Sequence, residues 1–141
     1  MENRDAKEIL GRYIRLRKKN NDRISAFICR GTSDDSEEQT IEKIERQLRK
    51  EREAGLLLQT VLDQIPVEAD RKILELRFLQ GWPTGKISRE IYGSRKDFEE
   101  HAEAYRVKTR HRLGLALLTA AKVLRQLGLD DLPADDEDPD E

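Results

Sequence analysis

The residues best suited to chemistry in this chain are basic ones. From Tyr105 to Leu129 stand Arg106, Lys108, Arg110, Arg112, Lys122 and Arg125, with no Asp or Glu among them. Such a stretch neutralises phosphates and releases the counterions condensed around a nucleic acid. A run of like charge is also what a plain solvated face looks like, so its meaning depends on what precedes it. A second basic group, Arg12, Arg15, Arg17, Lys18 and Lys19, lies near the N-terminus. It reads as a solvated face partly paired with the acids of the next helix, with a second DNA contact as the alternative.

Other chemistries find little support. His101 and His111 stand ten residues apart with no cysteine nearby, which does not suit a zinc site. Cys29 is the single cysteine and has no identifiable supporting base, so it reads as a small apolar side chain. There is no glycine-rich phosphate loop, nucleophile elbow or metalloprotease motif. The expectation is a protein that is not an enzyme and needs neither metal nor cofactor.

The elements that must position these side chains are all helical. Of the 141 residues, 40% are charged and only 5% aromatic, which suits exposed helices around a modest core. Ala6, Ile9, Leu10, Tyr13, Leu16, Ile24 and Phe27 recur at helical spacing and predict a first helix over 5–29. A polar loop follows at Gly31–Asp35. Ser36 and Gln39 have capping-box spacing, so a second helix should begin there. Its stripe is Ile41, Ile44, Leu48, Leu58, Val61, Leu62 and Ile65, interrupted at Glu51 and Gly55 and ended by Pro66. A short loop and opposite net charges predict an antiparallel hairpin resembling a short coiled coil.

A third helix is expected over 67–80, with Gly81 just past its end at a position needing positive φ. Pro83 suits the first turn of a fourth helix over 83–92, which carries Ile87 and Ile91 and stops at Gly93. Ser94 and Asp97 have capping-box spacing for a long last pattern from Phe98 to Leu127, ended by Gly128. Residues 130–141 hold eight acids and no base and are expected to be disordered. They read as a solubilising tail, or as a screen that lowers non-specific DNA binding.

An aliphatic helix, a glycine turn, a short helix and then a basic helix is the order of a helix-turn-helix. The third helix would back the unit, the fourth would prop the last, and the last would enter the major groove. Ile65 and Pro66, followed by RKILELRFLQGWPTGKISREIYGS from Arg71, resemble the fourth region of sigma factors. The matching positions are Pro66, Leu74, Leu76, Arg77, Phe78, Gly81, Ile87 and Ile91. Over residues 5–127 the chain also resembles a family of small phage proteins with a sigma-like end, whose first helix bears Ala-Lys-Glu as in Asp5-Ala6-Lys7-Glu8-Ile9-Leu10. That resemblance implies transcription control in a phage or prophage.

One departure stands out. SRKDFEEHAEA, with Asp97, Glu99, Glu100 and Glu103, separates the short helix from the basic one. Phosphates would repel those carboxylates, so they belong outside the groove, on an extended turn or an extra helical turn, and DNA contact should begin near Tyr105. Arg110 and Ala116-Leu117 fit the family's recognition helix, with either Val107 or Thr109 in the place of its aliphatic residue.

The expected DNA-contacting set is Lys86, Arg95, Lys96, Tyr105, Arg106, Lys108, Thr109, Arg110 and Arg112. Of these, Arg106, Arg110 and Lys108 suit the groove, and Lys86, Arg95, Lys96 and Arg112 the phosphates. The organisation expected is an interaction arm over 1–65, a DNA-binding domain over 66–128 and an acidic tail over 129–141. Partners would be double-stranded DNA, host RNA polymerase and a second copy of the chain as a homodimer. No apolar run suits a membrane span and no signal peptide is visible, so the expected location is the bacterial cytoplasm. The rival readings are a helical protein-interaction adaptor without DNA binding and a DNA-packaging subunit like a small terminase.

Overall fold

Helical spacing of apolar residues carries through to the architecture. A computed structural model describes residues 3–30 and 36–129, which are all-α with no strand among them. Helix α1 spans Asn3–Arg30 and α2 spans Ser36–Asp63. Helix α3, Glu68–Leu74, continues into a π-helical turn over Glu75–Leu79. Helix α4 spans Thr84–Tyr92 and α5 spans Ala102–Gln126. No described helix is long and apolar enough to cross a membrane. The acidic segment 130–141 and the loop 31–35 lie outside the described residues, as do the side chains of the Ser36–Gln39 capping box.

The first two helices run antiparallel. Tyr13 packs beside Gly55, Asn20 meets Gln47 and Glu51, and Phe27 shares a hollow with Thr40 and Ile44. The two interruptions of the α2 stripe thus have physical reasons. A Cβ on Gly55 would stand 3.0 Å from Tyr13 Cε1, so glycine gives the ring room that a larger residue would take from it. Glu51 accepts a 2.9 Å hydrogen bond from Asn20 Nδ2, which also donates to the Gln47 carbonyl at 3.0 Å. Asn20 is fully buried, and these bonds offset the cost of burying its amide.

A single core joins both halves of the chain. Ala6 and Leu10 of α1, Leu58, Val61 and Leu62 of α2, and Ile65 meet Ile73, Leu74, Phe78 and Ile87. Ala116, Leu117, Ala120, Ala121, Val123 and Leu124 of α5 close it. The boundary expected after Ile65 therefore runs through the middle of a packed interior. Periodicity marks which face of a helix is buried but not which partner buries it, so a separate arm and a shared core look alike in sequence.

Two glycines set chain direction by positive φ. Gly81 has φ +73°, and the amide of the following Trp82 donates to the Leu76 carbonyl. Gly128 has φ +70°. Its own amide donates to Arg125 and that of Leu129 to Leu124, a Schellman ending of α5. The third helix expected over 67–80 is shorter as a regular α-helix, because its last turn widens until Gln80 N–H bonds the Glu75 carbonyl. Pro83 sits one residue before α4 and not inside it.

Candidate nucleic-acid interface

Helix α4 is pinned to the core by Ile87, and a second, smaller cluster joins its end to α5. Tyr92, Phe98 and Tyr105 form this cluster, with ring centroids 5.0 Å apart for Tyr92–Tyr105 and 5.6 Å for Phe98–Tyr105. Residues 93–101 between the two helices form a series of turns. Ser94 and Asp97 do not start a helix, and α5 begins only at Ala102. Asp97 instead accepts a 2.7 Å hydrogen bond from the Tyr105 hydroxyl.

Three of the four acids in this region are engaged by the chain's own side chains. Asp97 is held by Tyr105. Glu99 pairs with Arg89 at 3.0 Å, and Glu103 pairs with Arg106 at 2.9 Å. The hydrogen bond from Tyr105 holds the Asp97 carboxyl below the usual carboxylate range, and the same bond holds the Tyr105 hydroxyl above the usual phenol range.

The expected contact residues divide into two groups. Arg106, Lys108 and Arg110 are exposed on the first three turns of α5, and Lys86, Arg95 and Lys96 are exposed on α4 and the turns after it. Several of these cations rest on aromatic rings. Lys86 Nζ lies 4.1 Å from the Trp82 ring, Arg95 lies 5.2 Å from Tyr92, and Lys108 Nζ lies 5.6 Å from Tyr92. Such contacts hold the charged ends beside ring faces while the side chains as a whole stay exposed.

Three expected contacts need correction. Tyr105 is buried in the aromatic cluster, not presented to a groove. Thr109 is 1% exposed and its hydroxyl donates to the Tyr105 carbonyl at 2.8 Å, so it faces inward. Arg112 is half-buried, with Nε 3.7 Å from Asp70 of α3, and ties α5 to the body of the fold. The common reason is helical phase: Tyr105, Thr109 and Arg112 recur at four and three residues and share the inward side.

The outward strip of α5 is instead Ala104, Val107, His111, Leu115 and Leu118, again at three-and-four spacing. Val107 and Leu115 are each 50% exposed. Reading the basic residues for charge alone missed this strip, although the phase set by the buried Ala116 and Ala120 would have revealed it. Arg89 was likewise missed; it stacks 5.1 Å from Phe98 while pairing with Glu99. Cys29, read as a small apolar side chain, is exposed.

The fold and site thus define an all-α protein with a short helix braced against the start of a long, basic one. Comparison with protein-family models, curated proteins and solved structures finds no match to this chain.

Proposed function

We propose that this protein is a sequence-specific regulator of transcription, from a phage or prophage, that reads duplex DNA with the first three turns of α5. The observation that carries this reading is the exposure of Arg106, Lys108 and Arg110 on a segment braced by α4, with three of the four nearby acids engaged by the chain's own side chains. About 16 Å of helix is offered by residues 102–112, at 1.5 Å per residue, and a major groove about 12 Å wide admits it. The resemblance of residues 65–117 to the fourth region of sigma factors supports a transcriptional task, with host RNA polymerase and a second copy of the chain as partners.

Arg106 pairs with Glu103 across one helical turn, and both side chains are largely solvated. Such a pair is worth only about 0.3–0.5 kcal/mol, so a phosphate competes for the guanidinium at little cost. His111 and Val107, which lie between the basic residues on the outward strip, become the candidates for base-edge and thymine-methyl contacts.

A second reading, a protein-binding helix, is favoured by the exposed Val107, Leu115 and Leu118 on that strip. Genome-wide mapping of bound DNA, compared with an Arg106→Ala/Arg110→Ala variant, separates the two. Discrete sites that disappear in the variant support the regulator. No enrichment by the wild-type chain rejects DNA binding.

A further inference from the structure

We propose that the basic face of α1 is a second contact for the DNA backbone, reached through the turn at Gly81. The proposal rests on duplex binding by α5 and extends that interface to an element outside α3–α5.

Charge is the first ground. Lys7, Arg17, Lys18 and Lys19 are exposed, and no ion pair engages them among the described residues. The expected pairing with acids of α2 does not engage these four, and Glu51 of α2 is taken up by Asn20 instead. Glu8 and Asp22 are the acids bordering this face, and they do not balance its cations.

Position is the second ground. Ile14 of α1 lies against the turn that leads into α4: a Cβ on Gly81 would stand 3.3 Å from Ile14 Cδ1. Arg17 and Lys18 border a hollow whose opposite wall is Gln80 and Gly81. Gly85, at the start of α4, has the Arg106 side chain 4.0 Å from its Cβ position. Three residues separate Gly81 from Gly85, four Cα–Cα steps, so the two lie within about 14 Å. Lys86 stands beside this link, over Trp82. Lys18 thus borders one end of the turn that leads into α4, and Lys86 and Arg106 stand by its other end.

The partner follows from the charge density. A duplex carries one phosphate per about 3.4 Å of axis on each strand, and exposed cations on two elements that meet at one turn suit such a repeated charge. Contacts of this type add affinity and orientation without reading sequence.

The test is the salt dependence of binding to a fluorescently labelled duplex of mixed sequence. Arg17→Gln/Lys18→Gln should lower the slope of log affinity against log salt by about 1.8, or about 0.9 for each phosphate that is no longer neutralised. Arg17→Lys keeps the charge and should retain the wild-type slope, which separates charge from folding. If Arg17→Gln/Lys18→Gln leaves the slope unchanged while Arg106→Gln/Arg110→Gln reduces it, the α1 face serves another partner. This proposal then fails and the α5 reading stands. If the wild-type chain binds no duplex even at low salt, both fail together.

Discussion

Tyr105 and Asp97 are joined by a 2.7 Å hydrogen bond from the phenolic hydroxyl to Oδ1. The bond fastens the turns over 93–101 to the start of α5. Tyr105 also stacks on Tyr92 and Phe98, so one side chain closes the aromatic cluster and anchors the first turn of α5.

The hydrogen bond has a pH window. Asp97 has a lowered pKa, so its contribution is present above the ordinary carboxylate value of about 3.9 and is lost as pH falls through the lowered one. Tyr105 has a raised pKa, so its contribution is present below about 10 and is lost as pH rises through the raised one. Asp97→Ala should bring the Tyr105 titration down toward an ordinary phenol, read by ultraviolet difference absorbance. The melting-temperature gap between wild type and variant should be widest near neutrality and close in acid. A Tyr105 titration unaffected by the substitution would remove the bond from the account.

Two glycines should respond in opposite directions. Gly81→Ala forces a side chain into the left-handed region and against Ile14, at a cost of about 1–2 kcal/mol. Around Gly114, in the middle of α5, a new Cβ meets nothing within 4 Å. Gly114→Ala should therefore stabilise by up to about 1 kcal/mol through helix propensity. Denaturant unfolding of the two variants measures both signs.

The buried amide of Asn20 should set the alignment of α1 against α2. Asn20→Ala is expected to cost about 1–3 kcal/mol, since the site loses bonds to the Gln47 carbonyl and Glu51. In a double-mutant cycle with Glu51→Ala the effects should be less than additive. Strict additivity would show that the two side chains do not interact in solution.

Removal of residues 130–141 deletes eight acids. If those acids screen the basic surface, the shortened chain should bind mixed-sequence DNA more tightly at low salt, and the difference should shrink as the Debye length falls. Equal affinities across the salt range would leave the segment a solubilising role only.

The sequence determined which segments are helical, because burial periodicity, Gly81, Gly93 and Gly128 are local signals and local physics reads them, while it set the start of α5 too early and Pro83 inside α4. It also placed the basic residues of α5 after the short α4, and it flagged the acids between them as out of keeping with a DNA surface. Tertiary structure decided the rest. Packing on Tyr92 and Phe98 turned Tyr105 and Thr109 inward, and Asp70 drew Arg112 toward α3. Contact with α5 merged the N-terminal helices into one core across the expected boundary at Ile65. Each of these outcomes depends on residues far apart in the chain meeting in space. A one-dimensional pattern gives the face a helix will bury, and only the folded chain says against what.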